Sequence, residues 1–102
     1  MFKWPAKDPD EILDYDIDWT AGLLSADEID AGSTSPADTI VTSTFTLPAG
    51  SLTASSTSNS TTHTKIWLSG GVLGITYQIT NEITTAAGRK MDRTVEIKIK
   101  SK

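Results

Sequence analysis

Residues 65–93 read KIWLSGGVLGITYQITNEITTAAGRKMDR, and the rest of the chain is best understood outward from them. The stretch opens on the apolar run Ile66, Trp67, Leu68 and then meets Ser69-Gly70-Gly71. Further on, Tyr77, Ile79, Asn81 and Ile83 fall on one face, while Gln78, Thr80, Glu82 and Thr84 fall on the other. A period of two is what extended chain with one buried side produces. The paired glycines supply backbone angles that Cβ-bearing residues resist, so the spacing predicts a sharp reversal and a hairpin. Ala86-Ala87-Gly88-Arg89-Lys90 predicts a second reversal, into a last strand from Arg93 to Lys100. Val95, Ile97 and Ile99 point inward there and Glu96, Lys98 and Lys100 outward, and lysines of that kind suit a sheet edge.

Working outward, Glu11–Trp19 alternates strictly, with Leu13, Tyr15, Ile17 and Trp19 against Asp14, Asp16 and Asp18. Asp38–Leu47 repeats the pattern with Val41, Phe45 and Leu47 inward, and Pro48-Ala49-Gly50 ends it. A short edge element is expected around Leu52, within residues 51–55. Residues 20–37 are small and polar; Ser25 followed by Glu28 has the form of a capping box, predicting one helical turn at most. The run SSTSNSTTHT, residues 55–64, is nearly pure hydroxyl and amide and reads as a loop tip or a solvated crossing between sheets. Phe2–Pro9 carries Pro5 and Pro9 beside Phe2 and Trp4, which excludes helix or central strand and predicts an extended arm covered by the domain or by a neighbour. The organisation expected is therefore an N-terminal arm over residues 1–10 and a single domain over residues 11–102. Six or seven short strands with regular turn signals give the fold class: all-β, an immunoglobulin-like antiparallel β-sandwich. Tyr15, Ile17, Trp19, Val41, Phe45, Leu68, Tyr77, Ile79, Ile83, Val95 and Ile97 are its expected core.

Composition narrows the function classes. The 102 residues suffice for one modest core, and 16 Thr with 11 Ser suit a thin sandwich with a hydroxyl-rich exterior. There is no cysteine, so packing alone must hold the fold. The net charge of −4 hides an asymmetry: residues 1–38 hold ten acids against two lysines, giving −8, and residues 39–102 hold three acids against seven bases, giving +4. Halves of opposite sign can steer contact between subunits or with a charged neighbour. An acidic total without a basic stripe argues against nucleic acid as a partner. The opening MFKWPAKDPDE has no apolar run of secretory type, and no segment approaches the roughly 20 apolar residues of a membrane span. The expectation is a protein assembled in a cytoplasm, without a membrane partner.

No reactive centre emerges from the motifs. Three aspartates on alternate residues suggest calcium, but a calcium loop needs Gly at its sixth position and Glu at its twelfth, where this chain has Trp19 and Ser25. Like-sided residues of a strand also stand about 6.5–7 Å apart, too far to close easily on one ion. The ladder reads instead as a solvated or partner-facing edge that repels other strands. His63, the single histidine, has no partner legible in the sequence. The glycines of residues 70–74 lack the Lys-Ser/Thr ending of a phosphate loop. No catalytic residue, metal or cofactor is expected; the residues describe a non-enzymatic β module whose work is contact.

A resemblance sharpens this. The pattern WLSGG-x-x-G-x-TY-x-ITN-x-ITTAAGR-x-x-DR, with KDPDE-x-LDY-x-IDW near the start and DTI-x-TS-x-F between, resembles a family of small structural proteins of tailed bacteriophages and prophages, the fiber-tail adaptor or head-tail joining proteins. The blocks run in order from about Lys7 to Arg93. The resemblance implies a virion protein of the tail or neck, in several copies in a symmetric assembly, contacting a tail or neck ring and the fiber. Its contact residues would come from the arm and the Asp-rich strand (Phe2, Trp4, Asp8, Pro9, Asp10, Asp14, Asp16, Asp18) and from the basic turn (Arg89, Lys90, Arg93). The alternative is a carbohydrate- or receptor-binding sandwich at the fiber end with Trp67 as its aromatic platform.

Overall fold

A computed structural model describes residues 2–48 and 50–101, with Phe2 described through its backbone alone. The expectation that Phe2 is covered and the Ala49 position of the turn at Pro48-Ala49-Gly50 lie outside the described residues. Among the described residues seven strands and two short helices follow in order: β1 Phe2–Lys3, β2 Leu13–Asp18, α1 Thr20–Leu23, α2 Ala26–Asp30, β3 Ile40–Thr46, β4 Leu52–Asn59, β5 His63–Gly70, β6 Thr76–Thr85 and β7 Lys90–Lys98. They form two sheets, ordered β1-β7-β6-β3 and β2-β5-β4. All pairs are antiparallel except β1 with β7, which run parallel. The protein is an all-β sandwich, 45 × 22 × 17 Å.

The alternation of the sequence does place residues on faces. Tyr15 and Ile17 of β2 are buried and Asp14, Asp16 and Asp18 exposed; Tyr77, Ile79, Asn81 and Ile83 of β6 are buried. Two apolar clusters result. One gathers Tyr15, Leu52, Ile66, Leu68, Tyr77, Ile79, Ile97 and Ile99; the other Ile17, Trp19, Leu23, Ile40, Ile83 and Val95, with Trp4 and Phe45 packed against both. Each buried aliphatic or aromatic side chain contributes roughly 1.5–3 kcal/mol by leaving water.

Between the clusters runs a polar seam. Trp19 Nε1 donates to Asn81 Oδ1 at 3.1 Å and to Thr64 Oγ1 at 3.2 Å. The Thr64 hydroxyl donates to the same Asn81 oxygen at 2.7 Å, and Asn81 Nδ2 donates to Ser43 Oγ at 2.9 Å and to the Thr44 carbonyl at 3.1 Å. One buried amide thus ties β3, β5 and β6 to the residue that follows β2, and a buried network in which each member is satisfied fixes one arrangement of the two sheets.

Four expectations are corrected. Residues 66–83 are no hairpin: β5 and β6 belong to different sheets, so Ser69-Gly70-Gly71 is a crossing between layers. Gly70 (φ 74°) and Gly71 (φ 102°) are required there, because a Cβ on Gly70 would stand 2.5 Å from the Ser51 carbonyl oxygen and one on Gly71 2.8 Å from Ile99 Cδ1. Val41 is 58% exposed and Ile40 takes the buried place, because a bulge between Ile40 and Thr42 resets the alternation. The hydroxyl-rich run is no loop: β4 extends through Asn59 and β5 begins at His63, with only residues 60–62 turning. Thr and Ser backbones find ladder partners in β5, which outweighs the absence of apolar side chains. Finally, β7 is not an edge along its whole length, since β1 pairs with it at Val95 and Glu96, and Lys7 bridges to Ile99.

The helices are local. Ser25 Oγ accepts the Glu28 N–H at 3.2 Å and Glu28 Oε1 accepts the Ser25 N–H at 2.9 Å, so the capping box forms and starts the five-residue α2. The unforeseen α1 follows Asp18, whose carboxylate accepts the Thr20 N–H at 2.9 Å, and it buries Leu23.

Candidate functional site

The register of the three-stranded sheet builds a surface on its outer face. Asp14 stands opposite Trp67, Asp16 opposite Lys65 and Asp18 opposite His63 on one side of β5; Ser56 stands opposite Trp67 and Ser58 opposite Lys65 on the other. Trp67 is 39% exposed in the middle of this grid, its neighbours Ile66 and Leu68 being turned into the core. A large aromatic ring on the central strand, ringed by carboxylates, an ammonium and hydroxyls, has the make-up of an interface hot spot. Lys65 Nζ lies 3.4 Å from Asp14 Oδ2, and both side chains are about half exposed, so the pair sets local charge more than stability.

At the rim, Thr62 Oγ1 is 2.7 Å from His63 Nδ1, and His63 Nε2 is 3.6 Å from Asp18 Oδ1. The Asp18 carboxyl is held below its usual range, first by the Thr20 side chain and then by the Thr20 N–H. A hydroxyl, an imidazole and a carboxylate in a row invite a catalytic reading. Here the outer gap exceeds a hydrogen bond and the imidazole and carboxylate are largely open to water, so the three groups do not form a continuous hydrogen-bonded relay.

The arm residues lie along the sandwich. The Trp4 ring stacks on Tyr15 with centroids 5.0 Å apart, its Nε1 donates to the Asp16 carbonyl at 3.2 Å, and its N–H donates to the Glu96 carbonyl at 2.9 Å. Lys7 is fully buried, its Nζ donating to the Gly70 carbonyl at 2.7 Å and the Asp8 carbonyl at 2.8 Å. Asp8, Pro9 and Asp10 form a turn in which the Asp8 N–H meets Glu11 Oε1 at 2.8 Å and the Asp10 N–H meets Asp8 Oδ1 at 2.9 Å.

The basic turn divides. Arg89 faces inward: its Nε donates to Asp38 Oδ2 at 3.0 Å and its Nη2 to the Leu23 carbonyl. Burial would raise the Asp38 carboxyl, but the Thr85 hydroxyl, the Ala87 N–H, Arg89 and the Thr39 N–H outweigh it and hold the group at about 2. Arg93 donates to the Asp18 carbonyl at 3.0 Å and lies 4.4 Å above the Trp19 ring, so the structure brings this one basic residue to the end of the aspartate strand. Lys90 remains exposed, 3.5 Å from Glu82, at the opposite end of the sandwich from Asp8–Asp10.

Three features escaped the sequence reading. Lys7 looked like arm charge, and nothing in a lone lysine between Ala6 and Asp8 announces burial. The outer face was half hidden because β4 read as loop. The turn of residues 72–75 exposes Val72, Leu73 and Ile75 while its backbone is fixed, the Val72 N–H donating to Tyr77 Oη at 3.0 Å and the Gly74 N–H to the Ile99 carbonyl at 2.8 Å. Aliphatics on both sides of Gly74, interrupting the alternation, were the available signal.

No curated protein sequence matches the chain. A family described as the podophage GP4 fiber-tail adaptor protein gp77 matches across residues 7–98, nearly the whole sandwich including the Asp-rich strand and the β6–β7 hairpin. The chain belongs to the podophage GP4 fiber-tail adaptor family, Gp77.

Proposed function

We propose that this protein is a non-enzymatic structural adaptor of a tailed-phage virion that joins tail or neck ring proteins to fibers. The observation that carries the reading is the family match over residues 7–98. The molecule offers what such a role needs: a sandwich whose two sheets are tied by the buried Trp19–Thr64–Asn81–Ser43 network, and chemically distinct contact surfaces at different places. The outer face with Trp67, Asp14, Asp16 and Asp18 serves one partner, and the apolar turn of Val72, Leu73 and Ile75 serves another.

The sandwich itself is read as immunoglobulin-like. With strands lettered in chain order, β3, β6 and β7 group as C, F and G, and β2, β5 and β4 as B, E and D, as in that fold. The Tyr77 hydroxyl accepting the Val72 N–H at the entry to β6 has the geometry of a tyrosine corner. Purified protein mixed with the tail and fiber proteins of the same phage is expected to co-migrate with both in one complex. Failure to bind either one removes the adaptor reading.

A second reading, a carbohydrate- or receptor-binding module at the fiber end, draws on the exposed Trp67 beside Asp14 and Ser56. Glycan binding that is lost in Trp67→Ala while assembly proceeds would favour it.

A further inference from the structure

The two border strands of the small sheet differ in how they are closed. Beyond β2, the Asp16 carbonyl accepts Trp4 Nε1 and the Asp18 carbonyl accepts Arg93, and Asp14, Asp16 and Asp18 repel a second acidic strand. Beyond β4 there is no such closure: among the described residues it pairs with β5 alone, and every side chain from Thr53 to Asn59 is exposed. Those residues, TASSTSN, contain no charge and no proline. A bulge between Ala54 and Ser56 bends the strand but leaves Ser56–Asn59 regular. On the same flank β3 already engages the Ile40 N–H with the Thr61 carbonyl and the Thr44 carbonyl with Asn81.

We infer that β4 is a docking edge for a second copy of this chain, pairing antiparallel with its own mate across a twofold axis. The argument is one of charge and register. A strand that pairs with itself sets a residue on the axis against its own copy and sets residues placed symmetrically about the axis against each other, so a charge on the axis, or like charges either side of it, destabilise the pair. The strand β2 would suffer this at three positions, and β4 at none. With the axis at Thr57, in the regular run, Ser56 of one copy stands against Ser58 of the other on the outer face. Serine and threonine hydroxyls opposite one another hydrogen-bond across strands. The contact is isologous and closes at two copies, extending the sheet from three strands to six. It stands independently of the adaptor reading, because it uses no fiber or tail contact.

Sedimentation equilibrium tests it, with wild type and two double variants, Ser56→Lys with Ser58→Lys and Ser56→Glu with Ser58→Glu. Wild type is expected at twice the chain mass of 10.9 kDa. Each variant alone is expected at the single mass with an unchanged thermal melt, and an equimolar mixture of the two should recover the doubled mass. A wild type that stays at the single mass overturns the inference and leaves the edge to an extended segment of another protein. A lysine variant that keeps the doubled mass, or a mixture of monomeric variants that fails to recover it, overturns it as well.

Discussion

The buried seam around Asn81, which reaches β5 through Thr64, and the outer face around Trp67 lie on opposite faces of the three-stranded sheet, and they follow opposite rules. In the seam every polar group has a protein partner, from Trp19 Nε1 to Ser43 Oγ. On the face, Trp67 is 39% exposed and the β4 side chains from Thr53 to Asn59 are open to water, with only Thr53 and Ser55 among the described residues bonding back to β5. A domain selected for stability alone gains little by exposing an indole, so the contrast separates what holds the molecule together from what it holds out to others.

Substitutions sharpen that division, and the largest effect belongs to the seam. Asn81→Leu takes the amide partner from the Thr64 and Ser43 hydroxyls and the Thr44 carbonyl and leaves the Trp19 N–H with Thr64 Oγ1 alone, at about 1–3 kcal/mol for each buried group left unpaired. A loss of about 3–5 kcal/mol in denaturant titration is expected; a loss under about 1 kcal/mol would mean that the seam does not fix the sheets. Gly70→Ala comes next, since it forces a Cβ against the Ser51 oxygen at positive φ. It should lower stability by about 2–3 kcal/mol and loosen the crossing to β6.

Acid reports on Asp38. Its folded-state value of about 2 lies below the ordinary 3.8, so the group stabilises the fold above the higher value, and that contribution is lost as pH falls through the lower one. Unfolding free energy should decline between pH 3.8 and about 2, and Asp38→Asn should flatten the decline in that window while lowering stability near neutrality.

These same residues show what could be read from the chain beforehand and why the rest could not. Alternation in residues 13–19 and 77–83 gave the correct inner faces, because a period of two survives without knowing which strands pair. It could not reveal that β5 and β6 part into different sheets, since Gly-Gly permits a hairpin turn and a layer crossing equally. Nor could it foresee the bulge at Ile40–Thr42, which costs one residue of phase and turns Val41 outward. Arg89 and Arg93 looked like handles for partners, and within the chain they bond to Asp38 and to the Asp18 carbonyl, while Lys7, not singled out as a contact residue, is buried against the Gly70 carbonyl. The open edge lay in a run of serines and threonines that composition alone marks as loop. Charge announces itself in a sequence, while an unclosed backbone edge shows only once its neighbours are placed.

Trp67→Ala is the smallest change to the fold and the most direct test of the division. The melting temperature should stay within the equivalent of about 0.5 kcal/mol of wild type. In pull-down with the tail and fiber proteins of the same phage, affinity for one of the two should fall by about 30-fold, the loss of a hot spot worth roughly 2 kcal/mol. A variant that melts well below wild type, or that binds both partners as tightly as before, would contradict the assignment of this face to contact.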